Sequence, residues 1–224
     1  MSVRAQDLKA AEAGLERAAA CRITIVKNSA PDESIAEDDL MDIVAMQDIN
    51  SDVIGYLKVQ GQGFPVVSSE NPEKYLKTGW DNVRTACGSI FKDPASSDKN
   101  MVLYGHHMKN GSMFGSLQQY LDETYRAEHE TFTWITADYV DSYSVKAVIR
   151  TKADFSGGVL DMDTKQDFDE LGKQASETGV LYEPLHTGKT YMTLVTCEYT
   201  RKNGRLLVIG ERTEHAKRPD AKEE

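Results

Sequence analysis

Residues 193–210 read TLVTCEYTRKNGRLLVIG, in which two apolar runs flank a polar turn. The first run leads directly into Cys197, and the second begins immediately after Arg205. Asn203 and Gly204 suit the positive backbone angles of a hairpin turn, so this stretch predicts two neighbouring antiparallel strands. Such a hairpin would bring the side chains of Cys197 and Arg205 close together.

Short apolar runs of the same kind recur from Val53 onward, separated by Gly, Pro, Asn and Asp. They are VIGYLKV, FPVV, MVLYG, FTWITADYV, YSVKAVIRT, YMTLVTC and LLVIG. Many short strands at such spacing, with few long helical stretches between them, favour a closed barrel or a sandwich. The exception is the charged stretch from Thr164 to Ser176, where Phe168 and Leu171 predict a helix before the cysteine strand.

The amino-terminal part predicts helices. Ala5 to Cys21 is rich in Ala, Leu, Glu and Lys, which favour a helix. A second helical pattern follows Ser34, and its apolar side chains, which can share one face, are Ile35, Leu40, Ile43 and Val44. We therefore read the 224 residues as an N-terminal helical region (1–47), one main β domain (48–212) and a polar tail (213–224) that we expect to be disordered.

Three kinds of side chain carry the chemistry: Cys197, the histidines of the YGHH run that begins at Tyr104, and Arg205. A thiolate attacks carbonyl carbons, and a nearby imidazole can lower its pKa, act as its proton partner or protonate a departing amine. A guanidinium is permanently charged and offers its donors in a fixed fork, which suits a developing oxyanion. Together these groups suggest acyl transfer.

Several runs follow the order of a known family. The longest are YGHHMKNGSMF from Tyr104, TLVTCEY from Thr193 and GRLLVIGER from Gly204. Shorter ones are INSDVIGYLKV, FPVV, the Tyr75-Leu76 pair and GSIF. In all of them the chain closely resembles the class B sortases, over residues 48–212. Several matching fragments in the right order are far more specific than any one of them.

This resemblance implies a closed sortase-type β-barrel with N-terminal helices and a helix in the loop before the catalytic-cysteine strand. It also implies a cysteine transpeptidase that cleaves a C-terminal sorting signal, holds the acyl half as a thioester and transfers it to an amine. By motif, Cys197 would be the nucleophile, His106 the acid/base partner, and Arg205 the ligand of the oxyanion or substrate carbonyl.

The chain departs from the family pattern at two positions. The family usually has asparagine after the catalytic histidine, whereas this chain has His107. Neighbouring side chains on an extended segment point to opposite faces, so only one of the two imidazoles can face Cys197, and we favour His106. The family also tends to carry serine two positions before the cysteine, where this chain has Val195.

Substrate contacts follow from the resemblance alone. In the family the groove is bordered by residues beside the cysteine, by the segment that leads into the helix-containing loop, and by a leucine after a tyrosine. These positions correspond to Leu76, Thr151, Val195 and Glu198. The alternative interpretation is that Leu76 and Val195 belong to the core and that Glu198 is a solvated carboxylate.

The resemblance also implies the partners and the location. We expect surface proteins or pilins with a C-terminal sorting signal, of the NP-x-T type by analogy, and an amine from a peptidoglycan precursor or a pilin lysine. No cofactor is expected. No stretch approaches the roughly 18 consecutive apolar residues of a membrane span. We therefore expect a soluble chain from which an N-terminal membrane anchor has been trimmed. In the full-length protein this anchor would hold the enzyme at the extracellular face of the cytoplasmic membrane of a Gram-positive cell.

Composition excludes other classes of partner and site. A net charge of −10 argues against nucleic acid as a ligand. The spacing of Cys21, Cys87 and Cys197, and of the histidines, does not fit a structural zinc site. A disulfide between Cys197 and one of the other two cysteines is the alternative to a nucleophile. The odd count leaves one thiol free, and the flanking motif favours Cys197, with Cys87 as a small buried residue.

The sequence also leaves two functions from other classes open. A cysteine protease would hydrolyse its thioester with water, although no QAC-type or CGSCW-type motif surrounds Cys197. A catalytically silent surface-binding module on the same barrel would form no adduct at all. The product formed in the presence of an amine acceptor distinguishes these possibilities from a transpeptidase.

Overall fold

The computed structural model describes residues 3–20, 41–153, 165–200 and 202–218. The helices in these ranges are α1 (Val3–Ala20), α2 (Ile43–Ile49), α3 (Glu123–Glu128) and α4 (Lys165–Thr178). Two segments, Pro72–Leu76 and Phe114–Leu121, are 3-10 helices. The strands are β1 (Val53–Val59), β2 (Gln62–Val67), β3 (Ile90–Lys92), β4 (Asn100–Tyr104), β5 (Thr131–Ile135), β6 (Tyr139–Lys152), β7 (Gly179–Tyr182), β8 (Tyr191–Glu198) and β9 (Gly204–Lys217).

The strands form one sheet in the order β5-β1-β2-β3-β4-β8-β9-β6-β7. Because β5 also pairs with β6, eight strands close into a barrel and β7 remains outside the ring. The β2–β3 and β4–β8 pairs are parallel, and the other pairs are antiparallel. The predicted closed barrel is therefore confirmed.

Strand β8 is buried along nearly its whole length because both of its faces are covered. Met192 and Leu194 belong to the cluster that fills the barrel. Tyr191 and Val195 belong to a second cluster, which also contains Leu171 of α4. A strand covered on both faces reads as a continuous apolar run, which explains the sequence YMTLVT.

Helix α4 confirms the helix predicted between Thr164 and Ser176. It runs from Lys165 to Thr178, and Thr164 lies outside the described residues. Phe168 and Leu171, the apolar residues on which the prediction rested, are both buried. The helix therefore packs its apolar stripe against the outer face of the barrel, beside the strand that carries Cys197.

The N-terminal prediction is correct in part. Helix α1 agrees with the predicted helix within two residues, whereas much of the second pattern falls at residues 21–40, outside the described ranges. Helix α2 begins at Ile43 because the Asp42 carboxylate accepts a hydrogen bond from the Ala45 amide at 2.9 Å. Ile43 is buried but Val44 is 48% exposed, so the prediction that both residues share one apolar face is wrong for Val44. The helix also continues past the proposed boundary at residue 47.

The expected disordered tail from residue 213 is wrong for its first residues. Strand β9 continues to Lys217, which pairs with Tyr139 of β6. Arg218 is 3% exposed and donates to the carbonyl oxygens of Met41 and Thr136, each at 2.8 Å. Backbone pairing needs no apolar side chains, so a polar strand of this kind has little hydrophobic pattern. Residues 219–224 lie outside the described ranges.

Candidate active site

Strands β8 and β9 form the predicted hairpin, and Cys197 lies directly opposite Arg205 in their register. The turn residue Asn203 has a φ of 57°, as predicted. The positive φ predicted for Gly204 is wrong, and glycine is required at this position for another reason. A Cβ at this position would lie 2.3 Å from the carbonyl oxygen of Glu198. Only glycine therefore allows β9 to start so close to β8.

The backbone of β8 brings the opposing side chains of Cys197 and Arg205 close together. The carbonyl of Val195 accepts from the Gly105 amide at 3.1 Å, and the carbonyl of Cys197 accepts from His107 at 2.7 Å. Both carbonyls therefore point towards β4 and away from β9. In an antiparallel ladder such an unbonded pair has the shorter Cα separation, about 4.5 Å.

A pocket of about 110 Å³ lies where β4 and β8 end and β9 begins. Its lining consists of Leu76, Phe91, Tyr104, Gly105, His106, Val195, Thr196, Cys197 and Arg205. Cys197 is a half-buried, free thiol. The three side chains expected to react, Cys197, His106 and Arg205, thus contribute to one small concave surface.

The two neighbouring histidines have different surroundings. The Nε2 atom of His106 lies 3.0 Å from the carbonyl oxygen of Leu76. Because a carbonyl only accepts, Nε2 carries the proton in this contact, and Nδ1 remains for proton exchange. His107 instead places Nδ1 2.7 Å from the carbonyl oxygen of Cys197, and its ring packs on Tyr199 with a centroid separation of 4.8 Å. Only His106 of the pair lines the described pocket.

Arg205 lines the pocket, and among the described residues its guanidinium has one hydrogen-bond partner. One Nη1 donor binds the carbonyl oxygen of Gly204 at 3.0 Å. Tyr104 lies nearby and stacks on Phe91 at 5.7 Å. Burial, followed by the neighbouring Asp93 carboxylate, raises the pKa of Tyr104 to about 12, while the charge of Arg205 acts in the opposite direction. Tyr104 is therefore a neutral phenol beside a cationic group at physiological pH.

The four candidate substrate contacts separate into two pairs. Leu76, 39% exposed, and Val195, 4% exposed, both line the pocket, although Val195 also packs in the core. Thr151 of β6 is buried and pairs with Arg205 of β9. It is not among the described residues that line the pocket. Glu198 is likewise outside the lining and is 2% exposed, so it is not a solvated carboxylate.

The position of Glu198 has a simple cause. Successive side chains of a strand point to opposite faces, so the residue after Cys197 turns away from the pocket. The Glu198 carboxylate accepts from the Thr200 amide at 3.0 Å and from the Thr200 hydroxyl at 2.7 Å. Its role is therefore to hold the hairpin turn.

Sequence reasoning missed several residues of the lining. Tyr104 forms part of the pocket wall with Phe91. Thr196 donates its hydroxyl to the carbonyl of Gly105 at 2.9 Å and thereby joins the ends of β8 and β4. A Cβ on Gly105 would lie 2.5 Å from the Ile90 side chain. The glycine before the two histidines was the available signal for this close packing.

The described residues contain no group of three or more His, Cys, Asp or Glu side chains arranged to hold a metal ion. In the same part of the chain, no helix combines the length and apolar character needed to cross a membrane.

Comparison with known proteins agrees with this geometry. A profile of the Sortase domain matches residues 61–213. Sortase B of Listeria monocytogenes serovar 1/2a is 31% identical over 186 residues, which cover 78% of this chain and 74% of the relative. Among solved structures, Clostridium perfringens sortase B has a TM-score of 0.69 at 25% identity and covers 76% of this chain and 99% of its own. A Streptococcus pyogenes class B sortase involved in pilus biogenesis has a TM-score of 0.66 at 27% identity, with 75% and 96% covered.

The profile match includes most of the barrel and all of the pocket residues, and the Listeria relative extends the similarity over more than two thirds of both chains. The solved structures have the same closed mainly-β fold. The chain therefore belongs to the sortase family, among its class B members, and is a cysteine transpeptidase that acts on sorting signals.

Proposed function

We propose that Cys197 is the nucleophile of this transpeptidase, that His106 is its acid/base partner and that Arg205 stabilises the oxyanion. The observation that supports this assignment is the convergence of the three side chains on one pocket at the ends of β4, β8 and β9. Strand ends hold such groups more rigidly than loops do, and fixed donors are what oxyanion stabilisation requires.

The reaction has two acyl-transfer steps. The Cys197 thiolate attacks the scissile carbonyl carbon, and the Arg205 guanidinium donates hydrogen bonds to the oxyanion of the tetrahedral intermediate. As the C–N bond breaks, His106 donates its proton to the departing amine and the acyl half remains as a thioester. The acceptor amine then attacks the thioester, His106 takes the proton, a new amide forms and the thiolate leaves.

Leu76 and Val195 are the substrate contacts that we propose, because both present apolar surface to the pocket beside Cys197. The substrate would be a surface protein or pilin with an NP-x-T-type sorting signal. The acceptor would be an amine of a peptidoglycan precursor or a pilin lysine. The similarity to a class B sortase involved in pilus biogenesis supports a pilin among the candidates. The enzyme would act at the outer face of the membrane of a Gram-positive cell, held there by a membrane anchor.

Mass spectrometry of the protein mixed with a small library of sorting-signal peptides tests the assignment. We expect an acyl adduct on Cys197 that is absent in Cys197→Ala and unchanged in Cys87→Ala, because Cys87 is buried at 1% exposure, outside the pocket. With an amine acceptor present, the adduct should resolve to a new amide. An adduct on another residue would contradict the proposal, as would no adduct, or free acid as the sole product.

A further inference from the structure

The hydrogen bond between His107 and Cys197 continues the ladder between β4 and β8 in an unusual way. These strands are parallel, with Tyr104 opposite Val195, and the Gly105 amide donates to the Val195 carbonyl at 3.1 Å. In a regular parallel ladder the two strands donate in turn, and the next bond donated by the same strand lies two residues further along both strands. It would therefore join the amide of residue 107 to the carbonyl of residue 197. The Cys197 carbonyl does receive its bond from His107, but from the ring Nδ1, at 2.7 Å.

This substitution of a side chain for a backbone amide has a structural consequence. Strand β4 ends at Tyr104, so the chain leaves the sheet before the two histidines. The carbonyl at the end of β8 nevertheless keeps its donor. His106 is thereby free to enter the pocket, where its Nε2 meets the Leu76 carbonyl at 3.0 Å.

The His107 ring is held in place by further contacts. It packs on the Tyr199 ring at 4.8 Å, and the Tyr199 hydroxyl lies 3.5 Å from the His107 carbonyl oxygen. The backbone of His107 forms a bridge to Met113. Gln118, from the 3-10 helix that follows, places Nε2 3.5 Å from the same Cys197 carbonyl. Because a carbonyl only accepts, His107 must carry a proton on Nδ1 in this contact.

We propose that His107 is a positioning residue, which fixes the end of β8 relative to His106 and so sets the separation between the imidazole and the Cys197 thiol. The inference rests on the proposed roles of His106 and Cys197. His106 and His107 are consecutive, so a bond from His107 to the backbone of residue 197 links the two reacting groups through very few rotatable bonds. A misplacement of about 1 Å between reacting groups can cost roughly 10²-fold in rate.

Substitutions at residue 107 separate the hydrogen bond from the shape of the ring. His107→Asn keeps a donor at about the position of Nδ1. His107→Leu has the outline of asparagine without a donor, and His107→Phe keeps a ring on Tyr199 without a donor. We expect kcat for thioester formation to fall about tenfold in the Leu and Phe variants, with KM unchanged, and to stay within about twofold of wild type in the Asn variant. Urea denaturation checks that each variant is folded. If one donor-free variant is not folded, the other is enough to test the role of the hydrogen bond.

His129 offers a matched control elsewhere in the chain. Its Nδ1 also binds a backbone carbonyl, that of Tyr125, at 2.9 Å, and its ring also stacks on a tyrosine, at 3.9 Å. It does not line the described pocket. His129→Phe should therefore leave kcat and KM unchanged, whereas the same change at His107 lowers kcat.

The outcomes distinguish this inference from the proposed function. If all three His107 variants match wild-type kcat while Cys197→Ala is inactive, the positioning role is wrong and the assigned nucleophile stands. If the Asn variant loses as much as the Leu and Phe variants, the donor is not what matters and the inference also fails. Loss at residue 107 as complete as in His106→Ala would instead overturn the choice of His106, and activity in Cys197→Ala would overturn the nucleophile.

Discussion

Strand alternation gives the neighbouring residues Cys197 and Glu198 unrelated roles. The thiol faces the pocket opposite Arg205, whereas the carboxylate is buried against Thr200 on the other face. The resemblance suggested Glu198 as a groove contact because it stands beside Cys197. The contacts of each side chain follow from the face of the strand on which it lies, and that face depends on the register between β8 and β9.

We expect Arg205→Lys to lower kcat for thioester formation by about 10²-fold with little change in KM. A lysine keeps the charge but is a single point donor that cannot reproduce the planar fork. Arg212→Lys is the matched control, since Arg212 lies on the same strand and binds Asp141 at 3.5 Å, away from the described pocket. Steady-state kinetics with a sorting-signal peptide measure both. Equal activity of Arg205→Lys and wild type would exclude an oxyanion role for the fork.

At the scale of elements, the 3-10 helix Pro72–Leu76 determines where one wall of the pocket lies. It is tied to the segment before β1 through Asp52, whose Oδ2 accepts from the Lys74 ammonium at 2.8 Å and from the Tyr75 hydroxyl at 2.6 Å. Asn50 donates to the Tyr75 hydroxyl at 2.9 Å. These bonds hold the helix that exposes Leu76 to the pocket and presents its carbonyl to His106.

Asp52→Asn should make stability less dependent on pH. The hydrogen bond from Lys74, followed by that from Tyr75, holds the pKa of Asp52 below its usual value. A carboxyl with a lowered folded-state pKa stabilises the fold above its unfolded pKa, and this contribution is lost as the pH falls through the folded pKa. Because both side chains of the pair are partly exposed to solvent, we expect a difference of only about 0.5–1 kcal/mol at neutral pH.

Urea denaturation at neutral and acidic pH measures this difference. The wild type and Asp52→Asn should converge below the folded pKa of Asp52. Glu70→Gln, which changes a nearby exposed carboxylate, should not alter the free energy of unfolding at either pH. A difference between wild type and Asp52→Asn that persists unchanged in acid would show that the Asp52 charge is not its cause.

Helix α4 supports the opposite wall, and Leu171→Ala should test this. Leu171 is fully buried in the cluster that also contains Val195. Truncation of a buried leucine costs about 2–5 kcal/mol, depending on how far the site collapses. We expect a lower urea midpoint and a higher KM for the peptide, because Val195 loses its backing. Glu170→Ala on the exposed face is the control, and a wild-type midpoint for Leu171→Ala would mean that the helix does not pack as described.

The elements that could be predicted from sequence are those with a local pattern. Strand β8 is a continuous apolar run, and α4 has buried Phe168 and Leu171 at helical spacing. The end of β9 has no such pattern, since its last residues are polar and pair with β6 over a long sequence separation. The contact between the ends of β4 and β8, where the His107 side chain replaces a backbone amide, likewise depends on residues far apart in the sequence.

At the scale of the whole molecule, closure of the barrel brings distant segments to one site. The ends of β4 and β8 and the start of β9 meet at the pocket, although β4 and β8 are separated by residues 105–190. Motifs in the right order predict Cys197, His106 and Arg205 as the reacting groups, and the three side chains line one pocket. The resemblance suggested Thr151 as a groove contact, whereas its burial opposite Arg205 follows from the register between β6 and β9, which no local motif reports.

The seam between β1 and β5, one of the strand pairs of the closed barrel, depends on Gly55. A Cβ there would lie 2.5 Å from two ring atoms of Trp134 and 2.6 Å from the carbonyl oxygen of Ile135, both on β5. Gly55→Val should therefore force the strands apart and lower the free energy of unfolding by about 1–3 kcal/mol, seen as a lower urea midpoint.

Gly61→Asn is the control, because Gly61 has a φ of 70° with no atom within 4 Å of a new Cβ, and asparagine tolerates that conformation. Since the pocket consists of strand ends that the closed ring holds together, Gly55→Val should also lower kcat, whereas Gly61→Asn should change neither quantity. A Gly55→Val protein with wild-type midpoint and kcat would show that the seam is not under this constraint.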